Sequence, residues 1–209
     1  LFRTPEEVAV HADQPGKSVG RIRFRDVNLD GKIDQFDRTI IGNPHPDFIY
    51  GINLNSSYKG FDIVLFFDGK QGNDLYNAQR SIGDFDYFSF NHNINTLDAW
   101  TPNKANSNIP ALSTLNSNNE LQPSSYFVED GSYVRLKTIT LGYNFDNEFT
   151  KKLGMNKLRF YLVGQNLFSL TSFTGFDYEV SGLSAGGIGV AGYGIPHTKS
   201  MTFGINANF

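Results

Sequence analysis

The chain has 209 residues, 39% hydrophobic and 14% aromatic, with 19 Phe, 10 Tyr, one Trp and no Cys. The net charge of −3 offers no basic face for nucleic acid, and the missing cysteines exclude disulfides and thiolate metal sites. No run approaches the ~18 apolar residues of a membrane-spanning helix, a test that strands escape because they cross with only half their residues apolar.

In chain order, residues 1–47 read as one long segment without a strand. Within it, Asp26-Val-Asn28-Leu-Asp30-Gly31-Lys32-Ile-Asp34-Gln-Phe-Asp37 has the spacing of an EF-hand-like calcium loop. Oxygen donors stand at positions 1, 3, 5, 9 and 12, Gly31 at 6 allows the sharp turn, and Lys32 at 7 offers its carbonyl. The expected ligands of a structural Ca²⁺ are therefore Asp26, Asn28, Asp30, Lys32, Asp34 and Asp37. An Asx-turn loop satisfied by its own backbone is the competing reading.

Five strands are predicted after residue 47 from a period-two alternation. Phe48–Tyr58 and Phe61–Gly69 are separated only by Lys59-Gly60, a two-residue hairpin. Tyr133–Phe145, Lys157–Phe168 and the last residues, 199–209, follow. In the last, Met201, Phe203, Ile205, Ala207 and Phe209 alternate with Thr202, Gly204, Asn206 and Asn208. Each strand has about the ~9–11 residues that a tilted strand needs to cross a bilayer. Connections alternate between short (59–60, 146–156) and long (70–132, 169–198), the pattern of an outer-membrane barrel with short periplasmic turns and long extracellular loops. Two stretches, the Asn/Ser-rich 103–119 and the Gly-rich 184–194, read as solvated loop.

Little in the chain points to catalysis. His11, His45, His92 and His197 lack paired ligand spacing, and no Ser/His/Asp arrangement stands out, so no enzyme is expected. Asp84 and Asp86 among Phe85, Tyr87, Phe88 and Phe90 could stack on sugars, as could Trp100. A packed loop is the better reading for both. Asp62, Asp68, Arg159 and Gln165 fall where a polar lumen would be.

Several segments together resemble the late region of SusC/RagA-type TonB-dependent transporters. They are Asp26-Val-Asn-Leu-Asp-Gly-Lys-Ile-Asp34 with Asp37-Arg-Thr-Ile-Ile-Gly-Asn-Pro-His-Pro-Asp-Phe48, then Tyr58-Lys-Gly-Phe-Asp62, Gln71-Gly-Asn-Asp74 and Trp100-Thr-Pro102. Gly131 to Tyr143 and Gly164-Gln-Asn-Leu-Phe168 complete the set. The resemblance implies an all-β fold, the C-terminal five or so antiparallel strands of a transmembrane barrel of about 22 strands. Residues 1–47 are then an extracellular loop with the calcium motif, and 48–209 are barrel strands and loops. It further implies import of an oligosaccharide or peptide across the outer membrane of a Bacteroidetes-type bacterium. The partners are a SusD-like surface lipoprotein, outer-membrane lipid and, through an N-terminal part that this chain lacks, the TonB complex. The chain starts at Leu1 without a signal sequence and is expected to be a fragment. A secreted, calcium-stabilised β-sandwich that binds carbohydrate is the alternative.

Overall fold

A computed structural model describes residues 1–87, 91–180 and 187–209. Strands β1 (Phe48–Tyr58), β2 (Phe61–Gln71), β5 (Tyr133–Asn144), β6 (Lys157–Thr171) and β8 (Ser200–Asn208) form one five-stranded sheet in the order β1-β2-β5-β6-β8. Every neighbouring pair is antiparallel. Strands β3 (Asp74–Asn77), β4 (Val128–Asp130) and β7 (Val190–Ala191), which alternation does not signal, form a second, three-stranded sheet inside the long connections. Among the described residues no helix is long and apolar enough to cross a membrane.

The β1–β2 turn shows why the sequence closes there. Lys59 and Gly60 both have positive φ, 47° and 84°. Such a pair matches the right-handed twist of the flanking strands. A Cβ on Gly60 would also lie 2.7 Å from the Asn144 carbonyl oxygen, so the position needs glycine on both counts. The other short connection, after β5, is filled by helix α3 (Asn147–Lys152), capped by the Asp146 carboxylate, which accepts from the Phe149 amide at 2.7 Å.

Strand register sorts the side chains into two unlike faces. On one, Tyr58, Phe61, Tyr143, Phe160 and Ile205 form a row, followed by Ile63, Leu141, Leu162 and Phe203. Leu54, Leu65, Ile139 and Met201 come next, then Ile52, Phe67, Leu136 and Phe168. Phe48 and Tyr50 lie beyond. Aromatics therefore flank an aliphatic middle, as in the girdles of a barrel wall. Eleven residues of β1 tilted near 40° span about 25 Å, the height of such a band. Among the described residues no second sheet covers this face: Phe61 is 64% and Phe203 65% exposed. The β-sandwich alternative, whose two apolar faces must meet in a core, is corrected by that exposure.

The loops have their own core. Phe2, Ile22, Phe85 and Phe127 are buried, and Leu75, Phe173 and Ala191 form a second cluster against Tyr178 and Val180. Segment 1–25, which holds helix α1 (Pro5–Val10), is thereby packed onto segment 72–132, which holds helix α2 (Arg80–Gly83). Register places the ends of β1, β2, β5, β6 and β8 that carry the long connections on one side of the sheet. Both short turns lie at the opposite side, so the alternation of loop lengths holds.

Candidate functional site

The second face of the sheet is mostly polar. Asn53, Thr138, Gln165 and Ser200 share a row with Phe66, and Asn55, Thr140 and Thr202 share one with Val64 and Val163. Toward the short turns, Arg159 pairs with Asp62 at 2.5 Å across Gly142. A Cβ on Gly142 would meet Asp62 and Arg159 atoms within 2.6 Å. Toward the long loops, Arg135, with a side chain only 2% exposed, donates from Nε and Nη2 to Asp68 at 3.0 and 2.7 Å. It also donates from Nη1 and Nη2 to Glu179 at 3.0 and 2.8 Å. One guanidinium thus joins the wall to the β6–β8 connection with two bidentate carboxylate contacts. The Tyr133 hydroxyl donates to the same Glu179 at 2.9 Å.

A second polar network holds segment 1–25 to the 72–132 connection. Glu120, fully buried, accepts the Ile22 amide at 2.8 Å and the Tyr87 hydroxyl at 2.5 Å, and pairs with Arg21. Gln14 donates to the Ile22 carbonyl and to Asn118 at 2.8 and 2.6 Å. Burial, then the hydrogen bond to Glu120, raise the Tyr87 phenol well above its ordinary value. Arg80, Asp84 and Tyr126 repeat the motif nearby: Asp84 accepts from Arg80 Nε at 2.7 Å and from the Tyr126 hydroxyl at 2.9 Å.

These contacts decide between the paired readings of the acidic aromatic stretch. Asp84 and Phe85 are interior, Tyr87 is tied to Glu120, and Asp86 pairs with His92 at 3.0 Å. Residues 84–87 are packed loop; Phe88 and Phe90 lie outside the described residues, as do residues 184–186 of the Gly-rich run. Trp100 is half-buried against Gly20, where an added Cβ would lie 2.4 Å from the indole.

The calcium-motif residues stay together in one exposed loop with the backbone of a tight turn: Leu29 and Gly31 have φ of 61° and 82°. Their side chains close on the loop itself. Asp26 accepts the amides of Leu29 and Gly31 at 2.7 and 2.9 Å, and Asn28 accepts that of Asp30 at 3.1 Å. Asp30 accepts that of Lys32 at 2.9 Å, and Asp34 that of Phe36 at 2.8 Å. Asp37 accepts from Asp34 at 2.8 Å and Val27 at 2.7 Å, and these amides hold its carboxyl below the usual carboxylate value. Among the described residues no three acidic or histidine side chains converge at metal-binding distance. The spacing of the donors is that of a hard-cation loop, while in this geometry they satisfy their own backbone.

Sequence spacing did not foresee the grouping of Arg135, Glu179, Asp177 and His197. The last lies 2.8 Å from Glu179 and 3.3 Å from Asp177 through Nε2. Residues so far apart carry no common motif, and only the return of the loop to the wall unites them.

A single wall-like sheet with girdled apolar and polar faces, and its long loops at one end, defines a segment of a transmembrane β-barrel. No family model matches the chain. TonB-dependent receptor P26 of Formosa agariphila is 33% identical over an aligned 213 residues, covering 100% of this chain and 21% of the relative. TonB-dependent receptor P3 of the same organism is 34% identical over 192 residues, covering 89% and 19%. TonB-dependent receptor SusC of Bacteroides thetaiotaomicron is 29% identical over 195 residues, covering 91% and 18%. The solved RagAB peptide transporter shares the fold with a TM-score of 0.74 at 24% identity, over 95% of this chain and 22% of that one. The RagAB peptide importer in its 'open-open' state gives 0.71 over the same shares. The chain belongs to the SusC/RagA-type TonB-dependent receptors. It spans about one fifth of the length of the curated relatives it matches.

Proposed function

We propose that the protein containing this chain is a TonB-dependent importer that moves an oligosaccharide or peptide across the bacterial outer membrane. The girdled apolar face of the sheet carries this reading: it suits lipid, while the polar face suits a wet lumen. The edges of β1 and β8 that the sheet leaves open are then paired by further strands of the barrel, because hydrocarbon does not tolerate unpaired backbone groups. The loop layer, including residues 1–47, lies outside the cell and meets a SusD-like lipoprotein. Energy comes from the TonB complex through parts beyond this chain. The role is transport and not catalysis. RagAB is a peptide transporter; for this chain peptide and oligosaccharide both stand, and uptake separates the two classes.

Calcium belongs to the same proposal. Asp26, Asn28, Asp30, Asp34 and Asp37 side chains and the Lys32 carbonyl hold one Ca²⁺ that stiffens the loop before β1. The ion has no part in transport chemistry.

The test is uptake of labelled oligosaccharides and peptides by cells with and without the full-length protein. Accumulation of one class that requires both the protein and an energised inner membrane is expected. Uptake unchanged by deleting the protein, or by collapsing the proton gradient, overturns the reading.

A further inference from the structure

We propose that the β6–β8 connection is latched to the polar face of the barrel wall by a histidine-dependent ion cluster, and that the latch tightens as pH falls. Its two limbs converge on one point. One limb brings Asp177 and Glu179, the other brings His197, whose Nε2 lies 2.8 Å from Glu179 Oε2 and 3.3 Å from Asp177 Oδ1. The wall side of the point is Arg135, nearly buried.

The groups facing His197 come from three elements. From its own loop come Asp177, Glu179 and Tyr178, the last with its ring 5.9 Å away. Behind Glu179 stand Tyr133 and Arg135 from β5, and then Asp68 and Lys70 from β2. The cations of the wall are already engaged. Arg135 serves Asp68 and Glu179 together, and Lys137 lies 3.6 Å from Asp68. Lys70 sits over the Tyr133 ring, 5.6 Å from its centroid, and makes no ion pair within 4.0 Å among the described residues.

Asp177 is therefore left, among the described residues, with His197 as its sole ion-pair partner. A neutral imidazole offers one N–H at Nε2 and no charge to these two carboxylates. A protonated one adds a cation in direct contact with Asp177 and Glu179, where Lys70 reaches both carboxylates only through its longer-range field. Histidine is the side chain that changes charge between pH 5 and 8, so the loop is joined to the wall more firmly at the acid end of that range. The permanent contacts of Glu179 with Arg135 and Tyr133 keep the limb in place at higher pH, where only the histidine limb loosens.

The latch rests on the importer reading for its consequence alone, the shape of the lumen entrance; its existence is a property of these side chains. Double electron–electron resonance on the full-length protein tests it, with spin labels on Ile195→Cys, beside His197, and Asn53→Cys, on β1. No substrate is present, so a failed transport reading leaves the result untouched. The ratio of latched to open distances should rise roughly threefold from pH 8.0 to 5.5, the scale of a partly exposed ion pair. His197→Gln should flatten the dependence, and His197→Lys should hold the latched ratio at both values. A parent ratio indifferent to pH, or a His197→Gln protein that keeps the parent's dependence, overturns the proposal. So does a Glu179→Gln protein whose distances match the parent throughout.

Discussion

Placing arginine at Ile139 should separate a lipid-facing sheet from any soluble one. Ile139 lies between Leu65 of β2 and Gly164 of β6, in the row of Leu54, midway between the aromatic row of Tyr58, Phe61, Tyr143 and Phe160 and the row of Tyr50. A guanidinium there meets the middle of the hydrocarbon, which costs about 2–4 kcal/mol in a barrel. That is roughly a 30- to 700-fold loss in the folding equilibrium. Ile205 occupies the aromatic row itself, four residues along the strand direction from the Ile139 row, about 10 Å nearer the interface. Arginine at Ile205 should thus cost about 0–1 kcal/mol, because it can reach the headgroups. Thr140 is next in sequence but points to the polar face, and arginine there should cost less than at Ile139. The assay is reversible urea unfolding of the full-length protein in lipid bilayers, followed by gel mobility of the unboiled barrel. Equal losses at Ile139 and Thr140, or a greater loss at Ile205 than at Ile139, would refute the reasoning.

Other expectations follow from the loop layer. Glu120→Gln removes the charge opposite buried Arg21 and should destabilise the packing of segment 1–25 by about 3 kcal/mol or more, seen as faster proteolysis within 1–25 while the barrel stays intact. Asp130 is held below the ordinary carboxylate value by the hydroxyl and amide of Ser132. Its stabilisation is complete above the unfolded value of 3.8 and is lost as pH falls through the lower folded value. Asp130→Asn should accordingly melt below the parent at pH 7 and converge with it only as pH falls through the folded value, which lies below 3.8. Calorimetry with millimolar Ca²⁺ should show one site that Asp30→Ala abolishes; no heat from the parent protein would remove calcium from the account.

What the sequence showed and hid has a physical pattern. The five wall strands were legible because one face of each is largely apolar, so the period of two shows in 61–67 and in Ser200–Asn208 without reference to partners. The bulge at Lys137, where register shifts against both β2 and β6, was not legible, since one extra residue is invisible until the partner strands are known. Helix α1 did leave a signal, Thr4-Pro5-Glu6-Glu7, with Thr4 accepting the Glu7 amide at 3.2 Å, but its single turn has no apolar stripe. The short strands β3, β4 and β7 are two to four residues long, too brief for any period. The polar networks were hidden most deeply: Ile22 meets Glu120 across 98 positions, and no local rule connects an amide to a carboxylate that far away. The calcium motif was read from spacing, which fixes the order of donors but not whether each carboxylate faces an ion or its own backbone.

Cysteine accessibility along β8 tests the central claim most directly, in a full-length protein cleared of any cysteine outside this chain, which itself has none. Single cysteines at Met201 through Asn208 are introduced into the full-length protein in intact outer membranes. Each is treated with a membrane-impermeant thiol reagent and, separately, with a lipid-soluble one. Positions 202, 204, 206 and 208 should react with the aqueous reagent, and 201, 203, 205 and 207 with the lipid-soluble one. Aqueous labelling that is uniform along the strand would contradict a wall between lipid and lumen.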